Sequence, residues 1–304
     1  MDLEALSMSS ITPYIKLMRP VNGVMASVAA VIGLLITSRL SPNVDVIKVA
    51  LLFASTFLLS SSSMVMNDYF DREVDAVNQP QRPIPSGEVG PERALALSIA
   101  LIVVGLALSP LISFEAFAIA VLACAVFTAY NWKLKKYGLV GNACVSLCVA
   151  LTFVYGASAT GSITGIALLF SAIAFLANMS REVVKGIADV EGDRVRGVRT
   201  LAISHGPRIA AEVAYAFMVS AVALSFAPIG LGYVNWLYLP VILVADAGLL
   251  ASSLMALSSP TPEGAVKSKK LMLVFMGLAL MAFMMGCAQG PTLLEISKSR
   301  DAFR

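Results

Sequence analysis

The chain has 304 residues, of which 58% are hydrophobic and only 13% charged, with a net charge of +3 and a mean hydropathy of +0.82. A soluble domain of this size is about a quarter charged and at most half apolar, so an ordinary soluble enzyme is excluded and the surplus apolar surface must face lipid. The single histidine, His205, and four cysteines in apolar runs without metal-ligand spacing exclude most imidazole and thiol chemistry, and no nucleic-acid partner is expected.

The first twelve residues are acidic and polar, and the apolar run behind them outlasts the core of a cleavable signal, so no processed leader is expected. Helix-length apolar stretches follow at about 21–38, 46–66, 93–112, 115–132, 139–157, 163–180, 209–228, 235–257 and 271–289. Each approaches the roughly twenty residues that a helix needs to cross a bilayer, and none alternates like a barrel strand. The expected fold class is all-α: a polytopic membrane bundle of about nine transmembrane helices. No polar linker divides it, so residues 1–304 are read as a single membrane domain.

Lysines and arginines sort to one side of that layout. The N-terminus and the loops after even-numbered spans hold Lys16, Arg19, Arg72, Arg82, Arg93, Lys133, Lys135, Lys136, Arg181, Lys185, Arg194, Arg196, Arg199, Arg208, Lys267, Lys269 and Lys270. The opposite side holds only Arg39, Lys48, Lys298, Arg300 and Arg304. The positive-inside rule therefore expects a cell-membrane protein with its N-terminus and its two long charged loops, 67–92 and 181–208, in the cytoplasm.

Those two loops carry the candidate chemistry. The first reads Asn67-Asp68-Tyr69-Phe70-Asp71-Arg72-Glu73-Val74-Asp75. If span two continues as a helix, Asp68, Asp71 and Asp75 share one face, since i+3 and i+7 fall together. Three carboxylates at a membrane edge repel one another unless a cation sits among them, and hard oxygen donors select Mg²⁺. The second loop reads Arg181-Glu182-Val183-Val184-Lys185-Gly186-Ile187-Ala188-Asp189-Val190-Glu191-Gly192-Asp193. On a helix, Glu182, Lys185, Asp189 and Asp193 share a face that Asn178 extends toward the bilayer, although Gly186 and Gly192 loosen that projection. Either cluster alone is also compatible with an ordinary charged helix cap. Together, on one side of the membrane, they suit Mg²⁺ ions around a diphosphate. Arg72, Arg82, Lys133, Lys185 and Arg199 are the nearby basic candidates for its oxygens.

With Asn67-Asp68-x-x-Asp71-x-x-x-Asp75 and Asp189-x-x-x-Asp193, the chain resembles the UbiA superfamily of intramembrane prenyltransferases over nearly its whole length. The resemblance implies nine helices around a central cavity, a cytoplasmic polar cap, and Mg²⁺-dependent transfer from a polyprenyl diphosphate donor. It implies that Asp68, Asp71, Asp189 and Asp193 are catalytic, and that with Asp75 they bind metal. Asn67, Arg72, Arg82, Lys133 and Lys185 are then expected to bind substrate. Arg19-Pro20-Val21-Asn22, the segment from Asn78 to Gly87, and Arg181 to Arg194 are most similar to the archaeal ether-lipid branch. That branch implies transfer of a geranylgeranyl group to the sn-2 hydroxyl of geranylgeranylglyceryl phosphate, with Arg19 and Asn22 as candidates for the acceptor's phosphate. Where many relatives carry an acidic residue before the second aspartate pair, this chain has Ala188.

Other readings stay open at this point. The acceptor could be an aromatic ring or a chlorin, as in the quinone, tocopherol and chlorophyll branches, and a secondary transporter also gathers charge near broken helices. Tyr130, at the end of span four, is either a cavity-lining ring able to support a cation or an interfacial anchor. Asp246 lies deep in span eight, where an ionisable side chain is costly, and the resemblance assigns it no role.

Overall fold

The computed structural model describes residues 3–38, 45–195 and 197–287, and among them every regular element is helical. The elements are α1 (Leu3–Met18), α2 (Pro20–Ser38), α3 (Val46–Asn78), α4 (Pro91–Leu108), α5 (Phe114–Trp132), α6 (Leu139–Ser158), α7 (Gly165–Ala188), α8 (Val190–Val195), α9 (Leu201–His205), α10 (Pro207–Ser225), α11 (Ala227–Gly230), α12 (Tyr238–Ser258) and α13 (Pro262–Cys287). Nine of the described helical segments are long and apolar enough to cross a membrane, beginning at Pro20, Val46, Pro91, Phe114, Leu139, Gly165, Pro207, Tyr238 and Pro262. They overlie the nine expected stretches, and the protein is a multi-pass membrane protein. Of the basic residues used for orientation, Arg39, Arg196, Lys298, Arg300 and Arg304 lie outside the described residues.

Local chemistry starts and stops these helices. Asp45 caps α3, its carboxylate accepting the Ile47 amide at 2.8 Å, and Ser113 caps α5 through the Ala116 amide at 3.0 Å. Proline opens α2, α4 and α10, where its missing N–H costs no helical hydrogen bond. On the side expected to be external, Lys48 donates to the Ala159 carbonyl at 2.9 Å, at the C-terminal end of α6 where the helix dipole favours a cation.

The two charged loops are mostly helix extensions and turns. Residues 67–78 belong to α3 and 181–188 to α7. Between α3 and α4 the chain makes consecutive turns, with the Val89 amide donating to the Pro83 carbonyl at 2.8 Å. Ile84 and Val89 pack there against Leu17 of α1, Val65 of α3 and Ala94 of α4. The helix α1 was not expected from the polar N-terminal sequence. Its last turn supplies the buried Leu17 that anchors the cap.

The nine spanning helices form two groups that meet where α2 crosses α6. One group joins α3, α4 and α5 to that pair, and the other joins α7, α10, α12 and α13. At the crossing the backbones touch. A Cβ on Gly156 would lie 1.7 Å from the Ala30 carbonyl oxygen, and one on Gly33 would lie 2.1 Å from the Phe153 carbonyl oxygen. Small residues allow such approach in a bilayer, where association depends on packing rather than on the hydrophobic effect. Neither backbone oxygen can turn aside as a side chain can. Gly156→Ala is therefore expected to destabilise the bundle by about 3 kcal/mol, since overpacking costs of order 1–3 kcal/mol even in adaptable cores. Thermal unfolding in detergent measures this, and an unchanged midpoint would show that the two helices separate freely.

Separate apolar cores lie on the two sides of this crossing. One gathers Ala30 and Leu34 of α2 with Leu52, Ala116, Ala120 and Tyr155. The other gathers Ala29, Ile32 and Ile36 of α2 with Phe153, Phe170, Tyr238, Ile242 and Phe283. In the second, Phe170 and Phe283 stack with ring centroids 4.0 Å apart, and Tyr238 lies 6.1 Å from Phe283.

Candidate active site

Because α3 is uninterrupted to Asn78, Asp68, Asp71 and Asp75 fall on its inward face and are 4%, 8% and 2% exposed. Buried carboxylates need charged or hydrogen-bonding partners, and here side-chain cations provide them. Arg19 bonds Asp68 through its Nη2, and Arg82 spans two carboxylates, Asp75 at 2.5 Å and Asp68 at 3.3 Å. Lys135 reaches Asp71 at 2.5 Å, and the Asn67 amide donates both to Asp71 at 3.2 Å and to the Asn131 side-chain oxygen at 3.0 Å. Arg19 has a left-handed φ of 47° between α1 and α2, immediately before Pro20. Non-glycine residues adopt that conformation rarely and at a cost, and here it accompanies a turn that brings the guanidinium to Asp68.

The second cluster is less regular than a single helix. The helix α7 ends at Ala188, and Asp189 has φ −104° and ψ 13° before α8 resumes with Asp193. Glu182, Lys185, Asp189 and Asp193 are thus not on one continuous helix, although the Asp193 amide still donates to the Asp189 carbonyl at 2.9 Å. Glu182 is buried and accepts from Arg181 at 2.9 Å and Lys185 at 3.4 Å. Lys269, on α13, donates to Asp189 at 3.2 Å. Asn178, one turn deeper, donates to Ser146 of α6 at 3.0 Å.

Some expected residues do not join this arrangement. Arg72 turns to the Tyr69 carbonyl at 2.9 Å and sits over the Tyr69 ring, 4.7 Å from its centroid, with exposed Glu73 at 3.7 Å. Lys133 is exposed after α5, and Lys135, two residues on, makes the contact with Asp71 instead. The reason is local: α5 stops at Trp132 and a tight turn over Leu134–Lys136 redirects the chain. Arg199 is also exposed and contributes its backbone, the amide donating to the Lys136 carbonyl at 3.1 Å. Sequence reasoning missed Lys135, Asn131 and Lys269 as partners of the clusters, because only the contacts among α3, α5 and α13 reveal them. Tyr130 is half-buried, lines the cavity, and lies within electrostatic reach of Lys185, Glu182, Asp71 and Asp193, so it stands between the two clusters.

A cavity of about 410 Å³ begins among these groups and runs into the bundle. Its polar end is formed by Arg19, Asn22, Asn67, Tyr130, Arg181 and Lys185. Beyond them the walls are mostly apolar side chains of α2, α3, α5, α6, α7, α10, α12 and α13, interrupted by Thr56, Ser60, Ser63 and Thr152, with Asp246 the one carboxylate at depth among the described lining residues. Such a shape takes an amphiphile with an anionic head and a long hydrocarbon tail.

The model of the UbiA prenyltransferase family matches residues 26–262, a range that includes both aspartate clusters and most of the cavity wall. The chain belongs to the UbiA prenyltransferase family. This membership replaces the transporter reading. The digeranylgeranylglyceryl phosphate synthase of Pyrococcus abyssi is 38% identical over 273 residues, covering 90% of this chain and 96% of that one. A solved structure described as a digeranylgeranylglyceryl phosphate synthase in membranes superposes with a TM-score of 0.73 at 32% identity, over 91% of this chain and 98% of that one. A UbiA homologue from Archaeoglobus fulgidus, solved with GPP and Mg²⁺, shares the fold at a TM-score of 0.65 and 19% identity, over 90% of this chain and 99% of that one.

The donor chemistry of the UbiA-type site fits a magnesium diphosphate. No three acidic, histidine or cysteine side chains among the described residues converge tightly enough to enclose a metal alone. Mg²⁺ held there would need water and substrate phosphate oxygens beside one or two of these carboxylates to complete its shell. At the same polar end, the buried Arg181 Nε has no hydrogen-bond acceptor among the described residues, leaving a donor available to an anion.

Proposed function

We propose that this chain transfers a geranylgeranyl group from geranylgeranyl diphosphate to the sn-2 hydroxyl of geranylgeranylglyceryl phosphate, making the second ether bond of an archaeal lipid. The observation that carries this reading is the cavity, rich in cations and amides at one end and mostly apolar along the rest. The similarity to a digeranylgeranylglyceryl phosphate synthase across 96% of that relative supports the choice of acceptor over an aromatic one.

In this reading Asp68, Asp71, Asp75, Asp189 and Asp193 hold Mg²⁺. Bound Mg²⁺ would supply neutralisation of the charge that develops on the departing diphosphate. Arg181 and Lys185 bind diphosphate oxygens, Arg through its planar fork and Lys as a point charge. Arg82 and Lys135 hold the carboxylates of α3 in place, and Asn67 orients Asp71. Arg19, just before α2, and Asn22, in its first turn, hold the acceptor's phosphate at the polar end. The apolar walls exclude water, so the allylic carbon meets the acceptor hydroxyl before it meets a competing nucleophile. Tyr130 presents its ring at the boundary between polar and apolar zones, where positive charge develops during carbon–oxygen cleavage. The acceptor hydroxyl loses its proton to a cluster carboxylate or to the diphosphate itself.

The whole chain acts as a single membrane domain, with its N-terminus and cap in the cytoplasm, as the lysine and arginine distribution favours. The test is a transfer assay in liposomes with radiolabelled geranylgeranyl diphosphate, Mg²⁺, and either geranylgeranylglyceryl phosphate or 4-hydroxybenzoate. Product with the glycerophosphate alone is expected. Product with the aromatic acid alone would keep the family and replace the acceptor.

A further inference from the structure

The close approach of α2 and α6 has a consequence for the cavity above it. On α6 the lining spans a broad arc, with Cys144, Cys148 and Tyr155 toward one edge, Val145, Val149 and Phe153 toward the other about 100° round the helix, and Thr152 between them. Along the first edge the cavity descends between α3, α5 and α6 past Ala123 and Ile119 to Thr56 and Tyr155. Its floor is the Tyr155 hydroxyl, engaged by Ser55 at 2.6 Å and Ser109 at 3.0 Å. Along the second edge it descends among α7, α10, α12 and α13 past Ile173 and Ala279 to Ile242, Asp246 and Phe283. At that end the lining includes Phe283, backed by the buried rings of Phe170 and Tyr238, and Asp246, which accepts from Ser225 at 2.7 Å.

Between these ends lies the backbone contact of Gly33 and Gly156 with the facing helices, which leaves no room even for a methyl group. The two apolar cores on either side of it share α2 and α6 but no residue. The depths match a substrate. From Cys144 to Tyr155 along α6 is about 17 Å, and from Lys185 to Ile173 along α7 about 18 Å, at 1.5 Å per residue. Four isoprene units of roughly 5 Å each, built from carbon–carbon bonds of about 1.5 Å, extend about 20 Å.

We propose that the cavity is forked, and that its arms, one toward Tyr155 and one toward Asp246, each take one prenyl chain. Resting on the function proposed above, one arm holds the chain of the diphosphate donor and the other the chain already on the glycerophosphate acceptor. An aromatic acceptor has no tail to fill a second arm, so the fork selects for a prenylated one. The α2–α6 contact keeps the chains apart while both polar heads share the charged end of the cavity.

The test counts chains. Tritiated geranylgeranyl monophosphate, which lacks the diphosphate leaving group, is titrated into the detergent-solubilised full-length protein, and saturable binding is read by scintillation proximity. Two chains per protein are expected for the wild type, and one each for Ala123→Phe and Ala279→Phe, which fill the first and second arms. If a phenylalanine variant fails to run as a single species in gel filtration, the leucine variant at that position takes its place. One chain in the wild type, two in either variant, or loss of both chains from a single substitution would overturn the fork. Turnover separates this from the acceptor assignment. A wild-type protein that binds two chains yet does not prenylate geranylgeranylglyceryl phosphate removes the acceptor and leaves the two-chain cavity standing.

Discussion

Asp71→Asn is expected to lower prenyl transfer by about 10²–10³-fold, the usual loss when one preorganised electrostatic contact to a developing charge is removed, while the protein still folds. Asparagine keeps the shape and can still bond Asn67, but it removes the negative charge that Lys135 neutralises at 2.5 Å. Lys135 is then left without its counter-ion and one carboxylate fewer is available to Mg²⁺, so the rate falls and the Mg²⁺ concentration for half-maximal activity rises. Asp193→Asn on the other cluster is expected to behave alike. Initial rates across an Mg²⁺ titration, with gel filtration as the folding control, measure both. Full activity in either variant would remove that aspartate from the metal-binding set.

The second large effect is structural. Arg82→Met removes the cation shared by Asp68 and Asp75, whose side chains are 5% and 3% exposed. Breaking a buried ion pair from one side leaves uncompensated charge and typically costs about 3–5 kcal/mol. The Arg82 side chain is 23% exposed, and solvent screening puts the expected loss at the lower end, about 3 kcal/mol. Adding Asp75→Asn to Arg82→Met should recover part of the stability, because coupled neighbours are not additive. Chemical unfolding in detergent of the two single variants and the double variant tests this. Equal losses for Arg82→Met with and without Asp75→Asn would show that the contact carries no coupling. Activity should fall in Arg82→Met in either case, because both carboxylates lose the group that orients them.

Much of this molecule is written in local sequence. The nine apolar runs give the nine spans because helix length in a bilayer is set by residue count and backbone hydrogen bonding, both of which are local. The first aspartate face is equally legible: Asp68, Asp71 and Asp75 lie on one helix whose periodicity continues without interruption from the membrane. The second is only half legible. The break at Asp189 depends on how α7 ends and on the cap around Val198–Leu201, where the Val198 amide donates to the Asp193 carbonyl at 3.0 Å.

Partner choice among the charged residues was beyond the sequence. Arg72 sits inside the motif yet serves Tyr69, whereas Lys135, 64 positions from Asp71, becomes its cation. Charged side chains near a membrane edge are plentiful, and which one reaches a carboxylate depends on helix rotation and on the turns between helices. Tyr130 shows the same limit, since an interfacial anchor and a cavity wall have identical sequence signals. The sequence by itself determined the class of fold, the nine spans and the face shared by the first aspartates, because period, length and residue type act locally. Only the tertiary structure decided which cations neutralise those aspartates, because that follows from the turns between helices, and how the cavity divides, because that follows from where α2 meets α6, with Gly33 against Phe153 and Gly156 against Ala30.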